Sequence, residues 1–195
     1  MTPQPNPERR SERARRAILD AVFEVAAAKG YGKVTIEAIA AAAGVGKPTI
    51  YRWWPSKGAV ALDAVNDRIG DSMDFPDTGD IAADLTAQLT AVATMLTGDI
   101  GTIYRGIIAE AQSDPGLAAD LRATMLEPRI QRCVRRLDAA VAAGQLRADL
   151  PARTMVDILY APVYYRILLG AGPDETLRSP LLVRTVLEGL RPAAA

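Results

Sequence analysis

The residues best suited to chemistry lie between Thr35 and Lys57, where hydroxyl, cationic and aromatic side chains occur together. The pattern predicts two short helices joined by a tight turn, with Thr35 as N-cap of the first and Pro48 in the first turn of the second. Helices that cross closely need small residues at their contact and glycine at the turn, which Ala40 and Gly44 supply. Such a pair can place its second helix in the major groove of DNA.

Other kinds of chemistry have little support in the chain. It contains no histidine, which excludes Ser-His-Asp and Cys-His catalytic sites and histidine-based zinc sites. The single cysteine, Cys133, cannot form an intrachain disulfide, and we interpret it as a small core or interface residue. Lys47 is followed by Pro48, whereas a phosphate-binding P-loop needs Ser or Thr there. We therefore expect no metal, no cofactor and no enzymatic activity.

The composition is that of a globular protein outside the membrane. Apolar residues make up 49% of the 195-residue chain, enough to bury a sizeable core. The longest apolar runs, such as residues 158–165, are far shorter than the roughly 18 residues of a membrane span. Residues 1–16 contain no apolar signal-peptide segment. These features predict a cytoplasmic location and no membrane partner.

Charge is distributed unevenly along the chain. Residues 1–68 contain 11 Lys or Arg and 7 Asp or Glu, whereas residues 69–195 contain 12 and 16. The N-terminal part is therefore basic and the C-terminal part acidic, which favours a phosphate-binding function for the N-terminal part.

Apolar residues recur at helical spacing throughout, and no stretch shows the alternation of a β-strand, so we predict an all-α fold. Pro128 and Pro162 fall inside helical patterns, where we expect kinks or local breaks. The predicted helices cover about 8–29, 36–43, 47–54, 57–73, 81–96, 100–112, 115–143, 151–170 and 176–190.

The ordered run from Thr35 to Lys57 resembles the DNA-binding signature of the TetR repressor family. The shared order is Thr, Ile-Ala, Ala-Gly-Val, a polar residue, Thr-Ile-Tyr, two aromatic residues and Ser-Lys, and the resemblance covers about residues 14–68. The remainder agrees only in length, helical content and order. Two positions depart from the family pattern. Gly58 stands where an acidic residue usually follows, which predicts a less firmly started fourth helix, and Trp54 stands where Phe is more common.

The resemblance implies DNA contacts for eight side chains. Hydroxyl groups and lysine bind phosphate without reading sequence, whereas lysine or arginine can donate to guanine and a proline ring can touch a thymine methyl group. The implied base-reading residues are Lys47, Pro48 and Arg52, and the implied phosphate-binding residues are Thr35, Thr49, Tyr51, Trp53 and Lys57.

Some of these side chains also have a purely structural interpretation. Tyr51 and Trp53 could be core aromatic residues, and for Trp54 the core interpretation is the better one. The cluster of arginines at the start of the first helix is either a solvated helix end or an arm that reaches phosphates or the minor groove. That cluster consists of Arg9, Arg10, Arg13, Arg15 and Arg16.

The resemblance also implies a domain plan with an inducer site and a dimer interface behind the DNA-binding region. We predict a disordered tail over 1–7, a three-helix helix-turn-helix domain over 8–55, a connecting helix over 56–73, and a ligand-binding and dimerisation domain over 74–195. Apolar and half-polar side chains that could line the ligand site are Met95, Tyr104, Ile107, Met125, Leu126, Tyr160 and Tyr164. The predicted dimer interface contains Leu177, Leu181, Leu182, Val186 and Leu187.

The function that these features predict is a homodimeric transcriptional regulator, most simply a repressor that a small apolar or aromatic inducer releases from a palindromic double-stranded DNA operator. Ligand binding would change the spacing of the two DNA-reading helices, which must match half-sites about 34–36 Å apart. Two alternatives are a helical ligand-binding protein or enzyme with a vestigial DNA-binding head, and a scaffold that uses its C-terminal helices for protein partners.

Overall fold

The computed structural model describes residues 7–70, 75–170 and 180–191, with side chains from residue 11 onward. The regular elements in these ranges are all helical, which confirms the predicted all-α class. A 3-10 turn covers Tyr31–Lys33 and a π-helical turn covers Leu121–Leu126. The α-helices are α1 (Pro7–Lys29), α2 (Ile36–Ala43), α3 (Lys47–Tyr51), α4 (Lys57–Ile69), α5 (Ile81–Thr97), α6 (Asp99–Ala111), α7 (Pro115–Asp120), α8 (Glu127–Ala142), α9 (Ala152–Leu168) and α10 (Pro180–Leu190).

Three helix starts carry side-chain caps, and the first of them is the predicted cap at Thr35. The Thr35 hydroxyl accepts from the Ala38 amide at 3.1 Å, and the Ser56 hydroxyl accepts from the Ala59 amide at 3.2 Å. The Asp80 carboxylate accepts from two amides in the first turn of α5, at 2.9 and 3.2 Å. Each cap satisfies backbone donors that have no partner inside the helix, so these boundaries are set by local chemistry.

Of the two prolines at which a kink or break is predicted, Pro128 follows an interruption of the helix and Pro162 does not. α3 ends at Tyr51, earlier than the predicted Trp54. The Trp53 amide bonds to the Ile50 carbonyl three residues back, so the chain tightens into a turn after Tyr51, and Pro55 disfavours helical backbone only at Trp54. The predicted helix over 115–143 is divided by the π-helical turn just before Pro128, whose missing N–H and bulky ring disturb regular hydrogen bonding. In contrast, α9 continues through Pro162 as one helix, so no break occurs there.

The chain forms two compact units. The described part of the first comprises residues 7–68 and 99–120, and in it α1 contacts both α2 and α6. The second comprises residues 69–98 and 121–195; in its described part α8 contacts α9, and α10 contacts α5 and α9. The predicted domain boundaries at residues 55 and 73 stay a prediction. Within the described ranges, no helix is both long enough and apolar enough to cross a membrane.

A buried ion pair joins α5 and α8 in the second unit. The Arg136 Nη2 and Nε atoms lie 2.6 and 2.8 Å from Asp84 Oδ2. The Thr78 amide and hydroxyl donate to the same carboxylate at 3.2 and 2.7 Å. Burial opposes ionisation of Asp84, but the hydrogen bonds from Thr78 and Arg136 outweigh it and hold its pKa below the ordinary value. The pair therefore fixes the segment before α5 as well as the two helices.

Replacing Asp84 with Ala should destabilise the protein by up to about 3–5 kcal/mol, because the buried Arg136 guanidinium keeps only the exposed Asp77 carboxylate, 3.2 Å from its Nε atom, as an acidic partner. The matched control is Asp149→Ala, which removes an exposed pair with Arg147 whose atoms are 2.6 Å apart. That exposed pair should contribute at most about 1 kcal/mol. Urea unfolding followed by circular dichroism measures both changes, and equal effects of the two variants would contradict the assigned role of Asp84.

The contribution of Asp84 should also depend on pH. Because its pKa is lower in the folded state than the unfolded value of about 3.9, ionised Asp84 stabilises the fold above that pH. The contribution is lost as pH falls through the folded-state pKa. The stability difference between the native chain and Asp84→Ala should be constant above about pH 5 and decrease below about pH 4.

Candidate DNA-binding surface

The turn between α2 and α3 sets how α3 is presented. Gly44 adopts the left-handed conformation, with φ 66° and ψ 32°, which glycine takes without the steric cost of a Cβ atom. Ile39 and Ile50 are fully buried, so each helix turns one face into the first unit. The opposite face of α3 is left exposed, as a groove-reading helix requires.

The three predicted base-reading residues, Lys47, Pro48 and Arg52, are all exposed in and directly after α3. The Lys47 ammonium pairs with the Glu37 carboxylate at 3.1 Å. The Glu37 pKa is lowered by its own backbone amide and then by Lys47. The Arg52 guanidinium lies 5.8 Å from the centre of the Trp53 ring. Sequence reasoning missed Glu37, because nothing in the local pattern relates it to a lysine ten residues later.

The five predicted phosphate-binding residues differ in exposure. Tyr51 is 54% exposed, whereas Thr49, Trp53 and Lys57 are half-buried. Thr35 is exposed, its oxygen caps α2, and its hydroxyl also donates to the Glu37 carboxylate. The Lys57 ammonium is 3.6 Å from the Glu110 carboxylate, so one predicted phosphate ligand already has an anionic neighbour in the protein.

Two arginines of the N-terminal cluster join α1 to α4. Arg15 donates to both Asp63 oxygens at 3.1 and 3.2 Å, and Arg16 donates to Asp67 at 2.9 Å. The buried Trp54 donates its indole N–H to Asp63 at 3.1 Å, which agrees with its predicted core position. These contacts favour a structural role for Arg15 and Arg16 over a DNA-binding arm. Arg13 is exposed, and the side chains of Arg9 and Arg10 lie outside the described residues.

The predicted ligand-site residues fall in both units. Tyr104 and Ile107 are buried in the first unit, and Met125 is buried in the second. The other four, Met95, Leu126, Tyr160 and Tyr164, are half-buried residues of the second unit.

A buried polar cluster in the second unit was not predicted. The Tyr160 hydroxyl shares hydrogen bonds with Gln88 on α5 and with Cys133 on α8. Burial raises the pKa of Cys133 to about 12, and it also raises the pKa of Tyr160. The available signal was the glutamine itself, which interrupts the apolar stripe containing Leu85 and Leu89.

The predicted dimer residues occupy different environments along α10. Leu181 is 56% exposed, Leu182 and Val186 are half-buried, and Leu187 is buried in the second unit. Leu177 lies outside the described residues. Apolar side chains near the end of α9 are also exposed, namely Tyr165, Leu168 and Leu169.

A basic, exposed short helix held by a tight glycine turn, joined in one chain to a second helical unit, defines a helix-turn-helix transcriptional regulator. Residues 18–64 match the family described as bacterial regulatory proteins, tetR family. Residues 75–188 match the family described as tetracyclin repressor-like, C-terminal domain.

Comparison with individual proteins also identifies the chain as similar to TetR-family regulators. The chain is 34% identical to the HTH-type transcriptional regulator YdeS of Bacillus subtilis over 95% of its own length and 94% of that protein. It is 28% identical to the DNA-binding transcriptional repressor TetR of Mycobacteroides abscessus, over 95% and 98%. The crystal structure of the TetR family regulator SCO0332 superposes with a TM-score of 0.75 at 39% identity, over 92% of this chain and 99% of that one. The chain belongs to the TetR family of transcriptional regulators.

Proposed function

We propose that this regulator is a homodimeric repressor that binds a palindromic operator and is released by a small apolar or aromatic molecule. The observation that carries the DNA-binding part is the exposed α3, which begins with Lys47, is followed directly by Arg52, and is held in place by the buried Ile50. The similarity to a relative described as a repressor supports the direction of regulation.

The exposed side chains divide by chemistry into two groups. Lys47 and Arg52 can donate to the O6 and N7 atoms of guanine, and the Pro48 ring can contact a thymine methyl group. Thr35, Thr49, Tyr51, Trp53 and Lys57 offer hydroxyl, indole or ammonium donors suited to phosphate oxygens. On this proposal the first group determines sequence preference and the second determines affinity and orientation.

Lys47→Ala should change the preferred base at one operator position by about 1–3 kcal/mol of discrimination, because a base contact is lost. Lys57→Ala should weaken binding to all duplexes alike and reduce the slope of log affinity against log salt by about one unit per protomer. Selection of bound fragments from random duplex DNA, followed by titrations at several salt concentrations, measures both effects. Lys29→Ala, which removes an exposed lysine at the end of α1, is the matched control. Identical behaviour of the Lys47 and Lys57 variants would exclude the division of roles.

The same experiment separates this function from the alternatives. A vestigial head or a protein-binding scaffold predicts no specific duplex and no steep fall of affinity with salt, whereas phosphate neutralisation requires that fall.

For the dimer interface we propose the exposed apolar side chains of α9 and α10. Ile158 and Tyr165 are seven residues apart, and Leu168 follows after three more, so they share one side of the helix. Leu181 is the exposed apolar residue at the start of α10, and α10 contacts α9 within the second unit. A surface of this kind is typical of a site of association.

Leu181→Glu should convert dimers to monomers and reduce operator affinity, because the added charge would be buried in the interface. Light scattering at micromolar concentration reports the mass, and circular dichroism reports the fold. Ala83→Glu places the same charge on the exposed side of α5 and serves as control. A native chain that is monomeric in free solution and also on DNA would contradict the dimer proposal.

For the inducer site we propose the region around Gln88, Cys133 and Tyr160. The cluster places an amide, a thiol and a phenol in contact inside an apolar unit, and sites for small molecules combine apolar walls with a few such polar groups. Met95, Met125, Leu126 and Tyr164 belong to the same unit and could supply apolar walls.

An inducer identified from a library of apolar and aromatic compounds by thermal shift should bind Tyr160→Phe about 2- to 10-fold more weakly, because one hydrogen bond is lost. Tyr165→Phe, which removes the hydroxyl of an exposed tyrosine, is the matched control. Inducer should lower operator affinity by about 5- to 150-fold, and operator should lower inducer affinity by the same factor. Equal inducer affinity for free and DNA-bound protein would refute the coupling.

A further inference from the structure

A cluster in the first unit connects α6 to the start of α4. Tyr31 is buried, and its ring lies against α6 at Gly106. A Cβ atom at position 106 would come within 2.0 Å of the ring. The ring therefore packs directly against the α6 backbone, and only glycine at this position leaves space for it.

One turn further along α6, Glu110 faces the same tyrosine. The Tyr31 hydroxyl donates to Glu110 Oε2 at 3.0 Å. Burial, followed by the nearby carboxylate, raises the pKa of Tyr31, so the phenol keeps its proton and its donor role. The Glu110 carboxylate is therefore held in a fixed place by a neutral donor.

Lys57 approaches this carboxylate from α4. Its ammonium nitrogen is 3.6 Å from Glu110 Oε2 and 5.1 Å from the centre of the Tyr31 ring. The Lys57 and Glu110 side chains are 30% and 25% exposed, so solvent screens this pair less than it screens a fully exposed one.

The absence of a side chain at Gly58 makes room for the arrangement. A Cβ atom there would be 3.1 Å from Glu110 Oε1 and 2.6 Å from a Leu117 methyl carbon. The carboxylate therefore occupies space beside the N-terminus of α4, where a negative charge is also favoured by the helix dipole. Gly58, Gly106 and Tyr31 together position Glu110 next to the lysine.

We propose that Glu110 competes with a DNA phosphate for the Lys57 ammonium and thereby lowers the affinity of the protein for DNA. The proposal depends on the phosphate-binding role proposed for Lys57. A phosphate that contacts Lys57 must share its positive charge with the carboxylate, so the internal pair lowers affinity for every duplex sequence. Glu110 is thus a positioning residue that acts through Lys57.

The test is a double-mutant cycle with Glu110→Gln, which removes the charge but keeps the length and an acceptor for the Tyr31 hydroxyl. In the otherwise native chain, E110Q should bind operator and random duplex about 2- to 5-fold more tightly per protomer, the range expected for a partly exposed ion pair. The salt slope should become steeper. In the Lys57→Ala background, E110Q should have no effect, because the competing cation is absent.

Glu24→Gln, which removes an exposed carboxylate from α1, controls for the general change in charge. Tightening by E110Q that persists in the Lys57→Ala background, or that E24Q reproduces, would overturn the proposal. Unchanged or weaker binding by E110Q would also overturn it. Melting temperatures establish that E110Q is folded. If E110Q melts well below the native chain, Glu110→Ala replaces it in the same cycle, because the smaller side chain leaves room for a water molecule at the Tyr31 hydroxyl.

Failure of the proposed function gives a different result. If Lys57→Ala alone leaves duplex affinity and salt slope unchanged, the phosphate role of Lys57 is wrong, and the competition is wrong with it. If Lys57→Ala weakens binding but the cycle shows no coupling, only the role of Glu110 is wrong.

Discussion

The geometry of the DNA-binding surface depends on the burial of Ile50. α3 has five residues, far fewer than a helix needs to be stable alone. Burial of one isoleucine contributes about 1.5–3 kcal/mol, enough to hold so short a helix when the turns on both sides are also fixed. Before it, Gly44 supplies the left-handed turn; after it, the Trp53 and Trp54 amides bond to the Ile50 carbonyl at 2.9 and 3.0 Å.

The contacts that follow α3 extend this constraint to the rest of the first unit. Trp54 donates to Asp63 on α4, and Asp63 also accepts from Arg15 on α1. The Asp63 carboxylate therefore connects Trp54, which follows α3, to the longer helices α1 and α4. Two of the five arginines that resemble a DNA-binding arm in the sequence, Arg15 and Arg16, pair with Asp63 and Asp67 on α4, which reduces the positive charge that these two offer to DNA.

Local signals made most helix boundaries and the exposed face of α3 predictable from sequence. The caps at Thr35, Ser56 and Asp80 act within three residues, and the left-handed glycine lies where the turn requires it. Contacts between distant residues could not be predicted in this way. The helical period marks a stripe such as that containing Tyr104 and Ile107 as buried, but it does not reveal the neighbour, and both residues belong to the first unit.

The same reasoning explains why Glu110 and Gly58 were not identified as a pair. The sequence shows only an acid missing after Lys57, whereas the structure places near Gly58 a carboxylate from a helix more than fifty residues later. A missing local charge is thus replaced by one that depends on tertiary structure. A local acid would be carried by α4 itself, whereas Glu110 is carried by α6, so the distance between this carboxylate and the Lys57 ammonium is set by the packing of the two helices.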